Sequence, residues 1–367
     1  MTSQTSGFYK LSPKERLNYL KKFAKLSEEE VKLLLSSGAL GLDLADRIIE
    51  NVIGVMPVPF GVATGFIVND KEYLVPMATE MRGIISMATR GAELTRATGG
   101  FKAKSTGSTM IGQIQLTKVK DLEKAKQRIL DNKEEILREA NTQSRTRRAM
   151  DVKVKTLETS IGPMLIVELL VDVKDSMGAN VVDSMCEAVA PLIENLSEGK
   201  SNLKVVSNLA TKRLVHVETD VSKNAVGGLE IVKRIVEASA FAENDPFRAA
   251  THNKGIMNAV SAVLLATNND TRAVEAGAHA YAAITGRYRP LSIWRKNKEG
   301  DLIGELTMPM PVGIIGGAVS AHPTARISLK ILGVKTATEL GEVAASAGLA
   351  YNLTALQALV TSGIGSI

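Results

Sequence analysis

Apolar and polar positions along the chain alternate between helical and strand-like patterns. Residues 12–37 predict two helices, each opened by a serine that can cap its first turn. Short apolar runs broken by glycine and proline extend from Asn51 to Pro76, which predicts strands joined by a turn at Asn69-Asp70. The spacing becomes helical again from Thr79 to Thr98, where Gly99-Gly100 ends the pattern.

The segment from about residue 112 to residue 208 follows the order strand, helix, strand, strand, helix, strand. Its first helix is predicted from Asp121 to Asn141, and its second covers MGANVVDSMCEAVAPLIENL. This is the split βαβ order of ferredoxin-like domains, in which two helices cover one antiparallel four-stranded sheet. Residues 229–289 predict alanine-rich helices, and MPMPVGIIGGAVS predicts a glycine-rich loop between a strand and a helix.

The pattern therefore predicts an α+β protein whose large, mainly helical domain carries an inserted, ferredoxin-like βαββαβ small domain. We place the large domain at residues 1–108 and 216–367 and the inserted domain at residues 109–215. No GxGxxG or GxxxxGK[ST] motif follows a strand and opens a helix, so the sequence does not support a Rossmann or P-loop nucleotide site.

Composition narrows the class of protein. The chain has 367 residues, of which 45% are hydrophobic and 23% charged, as in ordinary globular proteins. It has no apolar run of about 18 residues and no secretory signal, which predicts a cytoplasmic protein without a membrane partner. One cysteine, Cys186, and four histidines without HxxxH spacing predict no metal site. A net charge of +6 with 4% aromatic residues does not favour nucleic-acid binding.

Four short segments place polar residues within apolar surroundings. They are PMATE at 76–80, DSMGAN at 175–180, RAATHNKGIMN at 248–258 and NNDTR at 268–272. Each allows a structural interpretation, since Thr79 and Asp270 can be helix caps. The small residues of DSMGAN at the start of a helix can also hold a diphosphate on free backbone N–H groups.

Glu80, Lys254 and Asp270 together have the chemistry for reducing a carbonyl group. A lysine flanked by Ala-Ala and Gly-Ile-Met is expected to be partly buried, and Asp270 can either cap a helix or pair with this lysine. An acid, a fixed cation and a linking carboxylate suit a reaction that forms an oxyanion and then protonates it.

These motifs, in this order, closely resemble those of 3-hydroxy-3-methylglutaryl-coenzyme A (HMG-CoA) reductase of the second, bacterial and archaeal class. The resemblance runs from about residue 8 to about residue 362. The matching motifs are ENVIG at 50–54, PMATE at 76–80, DSMGAN at 175–180, RAATHNKGIMN at 248–258, NDTRAVEAGAHAYA at 269–282 and MPMPVGIIGGA at 308–318.

The resemblance implies a homodimer with active sites between the subunits, a large domain that holds the acyl-CoA, and a small domain that holds the nicotinamide cofactor outside a Rossmann fold. The implied reaction is the four-electron reduction of (S)-HMG-CoA to (R)-mevalonate and CoA by two NAD(P)H, in isoprenoid synthesis. Two alternatives remain open: the same fold working in the mevalonate-degrading direction, and a paralogue that binds acyl-CoA or cofactor with impaired catalysis.

The family's functional residues map onto this sequence position by position. Lys254 would stabilise the oxyanion, Glu80 would donate the proton, and Asp270 would bridge the two. Arg248 and Asn258 would hold the substrate's polar groups. The cofactor would contact Asp175, Met177, Gly178, Ala179, Asn180 and Asn208, with Gly316 and Gly317 close to ligand.

Three departures from the family pattern carry expectations of their own. In the resemblance, the family continues into a C-terminal flap with a histidine that protonates the leaving CoA thiolate. This sequence reads LVTSGIGSI to Ile367, which predicts that the flap is absent, either naturally or by truncation of a normal enzyme. Tyr351 stands where the family commonly has glutamine. Met81-Arg82-Gly83 replaces the usual acidic-proline-serine run, so details of substrate contact are expected to differ.

The end of the small domain's first helix bears on the choice of cofactor. The resemblance implies an acidic residue there in family members that prefer NADH, whereas this chain has Ser144 at the nearest equivalent position, followed by Arg145, Arg147 and Arg148. A carboxylate would repel a 2′-phosphate, and serine with guanidinium groups would bind it. We therefore expect NADPH to be preferred, with NADH possible. The alternative is that these arginines are simply a solvated helix end.

Overall fold

The computed structural model describes Ser3, residues 7–36 and residues 40–363, apart from the side chain of Ala318. The α-helices, in chain order, are α1 Pro13–Ala24, α2 Glu28–Leu35, α3 Leu42–Ile48, α4 Ile84–Thr95, α5 Leu122–Asp131, α6 Lys133–Ala140, α7 Ala179–Ser197, α8 Lys223–Val226, α9 Leu229–Asn244, α10 Pro246–Ala266, α11 Thr271–Ala282, α12 Gly317–Ala321, α13 Pro323–Leu332 and α14 Ala337–Leu359. The strands are β1 Phe60–Val68, β2 Lys71–Ala78, β3 Lys102–Ser105, β4 Thr109–Thr117, β5 Arg148–Leu157, β6 Met164–Asp172, β7 Lys200–Ser207, β8 Leu214–Val221, β9 Ser292–Lys296 and β10 Leu302–Pro309. Short 3₁₀ helices lie at Phe8–Lys10, Arg96–Thr98 and Asn141–Gln143.

The chain divides into two compact units, and the predicted α+β class is confirmed. Thr106–Arg213 forms one of them, which we call the small unit, and Met1–Ser105 with Leu214–Ile367 forms the large unit. The domain boundaries at 109 and 215, and the cofactor-binding role of the inserted segment, stay predictions.

The small unit has the predicted order βαββαβ, except that its first helix is divided into α5 and α6. Its strands lie in the order β5-β6-β4-β7 and every neighbouring pair is antiparallel. Buried residues alternate along β4, so Met110, Ile114 and Leu116 face a core that includes Ile129 of α5 and Ile136 of α6. This period of two is what places one face of the sheet against the helices.

The large unit contains the β1-β2 hairpin and a second sheet in the order β3-β8-β10-β9. The hairpin turns at Asn69 and Asp70, with φ angles of 50° and 63°, as a tight two-residue turn requires. Helices α4 and α14 cross closely at Gly91, where a Cβ would lie 2.0 Å from the carbonyl oxygen of Ala350. Only glycine permits this close approach.

Two predicted helices differ from the observed ones. The helix expected from Asp121 to Asn141 is interrupted at Asn132, whose Nδ2 donates to the carbonyl of Arg128 (2.8 Å) and so competes with the regular helical pattern. The helix expected from Thr79 begins only at Ile84, because the preceding loop ends at Gly83 with a φ of 90°.

Two further predictions concern membrane-spanning helices and the C-terminal flap. No helix among the described residues is long and apolar enough to cross a membrane. Residues 364–367, at the end of the segment on which the absence of a C-terminal flap was predicted, lie outside the part of the chain that the structure describes.

Candidate active site

The loop after β2 brings Glu80 to the surface of the large unit. Thr79 is buried, its N–H donates to the carbonyl of Pro59 (3.0 Å), and its Oγ1 accepts from the N–H of Met81 (3.1 Å). Because Gly83 is the residue that caps α4, the alternative in which Thr79 caps this helix and Glu80 lies in its first turn is wrong. Glu80 is left exposed in the bend that follows β2.

Lys254 lies on the exposed side of α10, so the expected partial burial is wrong. Its neighbours Ile256 and Met257 are buried, and the helical period turns Lys254 away from that core. The Nζ of Lys254 lies 3.8 Å from the Sδ of Met81. The structure therefore brings the predicted cation to the loop that carries the predicted acid.

Arg248 and Asn258 lie on the same helix as Lys254. Arg248 precedes Lys254 by six residues, which places it about 9 Å away along the helix and about 120° around its axis. Burial lowers the pKa of the half-buried Arg248 guanidinium, and it pairs with no carboxylate within the described residues. The Nδ2 of Asn258 donates to the Oη of Tyr351 (3.0 Å).

Asp270 caps α11 in this chain. Its Oδ1 accepts from the N–H of Ala273 (3.0 Å) and lies 4.0 Å from the Nε of Arg272. Within residues 7–36 and 40–363, no hydrogen bond or ion pair joins it to Lys254. Ala266, the last residue of α10, lies twelve positions, or about 18 Å, along the helix from Lys254. Of the two alternatives for Asp270, the single chain shows the cap.

The glycine-rich loop before α12 is tied to the residue before Asp270. The Nδ2 of Asn269 donates to the carbonyl of Gly313 (3.1 Å), and the N–H of Gly313 donates to the Oδ1 of Asn269 (2.7 Å). Gly316 has a φ of 107°, and a Cβ at Gly317 would meet no described atom within 4 Å. There is open space beside Gly317, so packing does not require glycine at this position.

Most of the predicted cofactor-binding segments meet at one end of the small unit's sheet. Arg148, which begins β5, pairs with Asp172, which ends β6, and Asp172 also pairs with Thr109 at the start of β4. Ser207, at the end of β7, pairs with Ile111 of β4. The loop before β5, the loop after β6 and the turn after β7 therefore lie at this end. They contain Ser144, Arg145, Arg147, Arg148, Asp175, Met177, Gly178, Ala179, Asn180 and Asn208.

The loop between β6 and α7 is closely packed at its base. Gly178 has a φ of 98°, and a Cβ there would lie 2.5 Å from Val173. The N–H and the Oγ of Ser176 both donate to the carbonyl of Val173 (3.2 and 2.8 Å). The guanidinium of Arg213, a residue that our sequence reasoning missed, donates to carbonyls of this loop and is 3% exposed.

The loop before β5 is folded around Ser144. Its Oγ accepts from the N–H groups of Thr146 (3.3 Å) and Arg147 (3.0 Å), which leaves the hydroxyl proton available to donate. Arg145 and Arg148 are exposed, and neither pairs with a carboxylate within the described chain. This end of the sheet therefore presents cations and a hydroxyl group together.

Among the described residues, no three His, Cys, Asp or Glu side chains come close enough together to hold a metal ion. The predicted residues thus form two groups. Glu80, Lys254, Arg248, Asn258, Asp270, Gly316 and Gly317 belong to the large unit, and the others belong to the small unit.

Comparisons with known proteins agree on one family. The family model described as hydroxymethylglutaryl-coenzyme A reductase matches residues 12–366. The 3-hydroxy-3-methylglutaryl-coenzyme A reductase of Archaeoglobus fulgidus is 51% identical over 99% of this chain and 84% of its own length. The probable reductase of Borreliella burgdorferi is 31% identical over 88% of this chain and 75% of its own.

A solved structure is similar over nearly the whole chain. It is the class II 3-hydroxy-3-methylglutaryl-CoA reductase from Streptococcus pneumoniae bound to NADPH in open conformations. It superimposes with a TM-score of 0.93 at 39% identity and covers 97% of this chain and 99% of that one.

Proposed function

Because this chain belongs to the hydroxymethylglutaryl-coenzyme A reductase family of NAD(P)H-dependent oxidoreductases, and within it to class II, we propose a mechanism in which Lys254 stabilises the oxyanion formed from (S)-HMG-CoA. The enzyme is an HMG-CoA reductase, whose products are (R)-mevalonate and CoA. The contact between Lys254 and Met81 carries the proposal, since it places a cation against the loop of Glu80.

Glu80 is the proton donor in this proposal. Its loop is held by the buried Thr79, and the side chain is exposed, where a substrate can reach it. An acid beside a fixed cation can protonate an alkoxide as soon as the cation has stabilised its charge. Asp270 would bridge Glu80 and Lys254, as in the resemblance that predicted it.

Arg248 and Asn258 would bind the substrate's carboxylate and hydroxyl groups. The guanidinium of Arg248 is half-buried without a carboxylate partner in the described chain, so an anionic ligand would relieve the cost of its burial. Asn258 is held in place by Tyr351, which fixes the direction of its amide.

The small unit's residues fit a dinucleotide. Helix α7 has 19 residues and begins after Gly178, which has no side chain to satisfy the first N–H groups. Anions bind at such a helix start because the N–H groups and the helix dipole point toward them. Bound there, the nicotinamide cofactor would supply the hydride. NADPH is our proposed preference, since Ser144 and the three arginines would hold its 2′-phosphate.

A homodimer is the proposed assembly. The segment around the ENVIG motif exposes large apolar side chains, with Ile53 fully exposed and Met56 88% exposed. Apolar patches of this kind mark protein interfaces. A second copy would also offer Asp270 a route to a Lys254 that the single chain does not bring to it. We propose that this dimer acts in the cytoplasm.

Product analysis tests the proposed function. The purified chain is incubated with HMG-CoA and NADPH, and mevalonate, free CoA and NADPH are measured. We expect two NADPH to be consumed for each mevalonate formed. NADPH that stays unchanged in the presence of HMG-CoA, and also in the presence of mevaldehyde, would contradict the proposal. The reverse assay with mevalonate, CoA and NADP⁺ compares the two directions.

A further inference from the structure

Arg213 is a buried cation that the proposed mechanism does not yet use. It lies at the end of the turn after β7, where its N–H donates to the carbonyl of Ala210 (2.9 Å), and this turn begins at Asn208. The residue is 3% exposed. A guanidinium group so buried is costly unless hydrogen bonds satisfy it.

Two of its partners are consecutive carbonyl groups, and the carboxylates of Asp172 and Asp175 act on its charge. The Nη1 of Arg213 donates to the carbonyl of Ser176 (3.0 Å) and to that of Met177 (3.3 Å). Both acceptors belong to the loop between β6 and α7. Arg213 thus connects the turn that holds Asn208 to the loop that holds the DSMGAN motif.

Holding these carbonyls also fixes two N–H groups. In a planar trans peptide the carbonyl of one residue and the N–H of the next point in opposite directions. When the carbonyls of Ser176 and Met177 face Arg213, the N–H groups of Met177 and Gly178 face away from it. Within the described chain neither N–H donates to any protein atom, so both are available to an external acceptor.

The backbone conformation of the loop also supports N–H groups that face away from Arg213. Gly178 lies in the left-handed region, and a Cβ there would collide with Val173. Consecutive N–H groups in a turn of this kind, placed before a helix, form a concave site for an anion. The carbonyl groups, which would repel an anion, are the ones that Arg213 holds inward.

We propose that Arg213 is a positioning residue, which orients the N–H groups of Met177 and Gly178 toward the diphosphate of the nicotinamide dinucleotide. This inference rests on the proposed function, in which the small unit binds NADPH. It does not require Arg213 to touch the cofactor, since the guanidinium acts through the two carbonyls.

Two variants and three ligands test the proposal. Arg213→Met removes the donors, and Arg213→Lys keeps a charge but replaces the planar fork by a single ammonium group. NADPH and NADH both contain the diphosphate, whereas 2′-AMP contains the adenosine 2′-phosphate without it. Dissociation constants are measured by calorimetry, or by competition with NADPH fluorescence for 2′-AMP.

We expect Arg213→Met to weaken the binding of NADPH and of NADH by the same factor, roughly 10- to 100-fold. The reason is that the two N–H groups that would bind the diphosphate lose their orientation. Binding of 2′-AMP should stay within about twofold. Arg213→Lys should restore part of the loss. At saturating NADPH the kcat should be largely retained, so the effect should appear in the KM for the cofactor.

Ile129→Val is the matched control, since it shortens a buried side chain of the same unit far along the chain from the loop and should leave all three affinities unchanged. If Arg213→Met does not fold, the decision rests on Arg213→Lys, which should lose NADPH affinity while keeping that for 2′-AMP.

Three results would overturn the proposal. Unchanged NADPH affinity in a folded Arg213 variant overturns the inference alone. Equal losses for NADPH and 2′-AMP would assign Arg213 to the general stability of the unit. Wild-type protein that does not bind NADPH overturns the proposed function, and the inference with it.

Discussion

The amide of Asn258 donates a hydrogen bond of 3.0 Å to the hydroxyl oxygen of Tyr351. Tyr351 is the residue that stands where the family commonly has glutamine, and it is 7% exposed on α14. A departure from the family pattern therefore contacts a predicted substrate-binding residue directly. This chain uses a phenol hydroxyl to hold the amide of Asn258.

Replacing Tyr351 by phenylalanine should raise the KM for HMG-CoA. The variant removes one neutral hydrogen bond, worth about 0.5–1.5 kcal/mol, so we expect a two- to tenfold increase with a smaller change in kcat. Tyr73→Phe is the control, because its hydroxyl donates to Glu339 (2.6 Å), which is not among the predicted site residues. A KM that does not change in Tyr351→Phe would separate Asn258 from substrate binding.

The arginines beside Ser144 should set the preference between NADPH and NADH. Replacing Arg145, Arg147 or Arg148 by alanine should lower kcat/KM for NADPH, by about tenfold for each contact to the 2′-phosphate, and leave the value for NADH nearly unchanged. Steady-state kinetics at low salt measure both values.

Arg128→Ala provides the control for this series. Its guanidinium pairs with Glu198 (2.6 Å), which precedes the start of β7 and so lies toward the other end of the sheet. This variant should keep the wild-type ratio. If none of the three arginine variants changes the ratio of the two kcat/KM values, the cluster is a solvated helix end.

The segment around the ENVIG motif, which exposes Ile53 and Met56, should form the interface of a homodimer. We expect a dimer at micromolar concentration in sedimentation velocity, with an interface above the ~1,600 Å² of a standard complex. Ile53→Asp should shift the protein toward monomer, because it places a charge within an apolar contact. Leu203→Asp, at a 58% exposed position on β7, should leave the dimer intact. A wild-type monomer would contradict the shared-site account.

A buried histidine should make stability depend on pH. His252 precedes Lys254 by two residues, and its Nε2 lies 2.7 Å from the Oγ of Ser292 and 3.2 Å from the Nδ2 of Asn352. Burial, with a smaller contribution from the charge of Arg248, lowers the pKa of His252 to about 3. The folded protein therefore keeps this ring neutral at pH values where the unfolded chain is protonated.

The sign of the effect follows from these two protonation states. Below about pH 6.5 the unfolded chain binds a proton at His252 that the folded chain excludes until about pH 3. The free energy of unfolding should fall by about 1.4 kcal/mol for each unit by which the pH is lowered within this window. Above the window, it should not depend on the protonation of His252.

Urea unfolding at pH 7.5 and pH 5.5 measures this contribution. His252→Asn should lose less stability than the wild type on going to pH 5.5. Ser239→Ala removes a non-titrating buried acceptor, which takes a hydrogen bond from the N–H of Trp294 (3.0 Å), and should lose as much as the wild type. Equal losses in wild type and His252→Asn would show that the ring takes up its proton at an ordinary pH.

Much of the fold could be predicted because its signals are local. The period of two in β4 and the Asn69-Asp70 turn depend on a few neighbouring residues, and both are as the pattern indicates. The break at Asn132 could not be predicted, because an asparagine within a helical pattern is tolerated until its side chain competes for a backbone carbonyl.

The sequence predicted which residues form the candidate site better than it predicted their burial and contacts. The exposure of Lys254 depends on which face of α10 packs against the core. Because apolar residues lie on both sides of Lys254 in the sequence, the sequence did not show which face that is. Arg213 was missed because nothing local separates it from the neighbouring Lys212. Its one signal is position: it directly precedes β8 and follows the buried Ala210 by three residues.

The most direct measurement compares wild type, Lys254→Met and Lys233→Met for NADPH oxidation with HMG-CoA and, separately, with mevaldehyde. Lys233 is an exposed lysine on α9 and serves as the charge-matched control. We predict that wild type and Lys233→Met oxidise NADPH with both substrates, and that Lys254→Met loses roughly 10²- to 10³-fold in kcat with both while still binding HMG-CoA. A Lys254→Met enzyme that reduces mevaldehyde at a near-normal rate would contradict the role of Lys254 as the cation that stabilises the oxyanion.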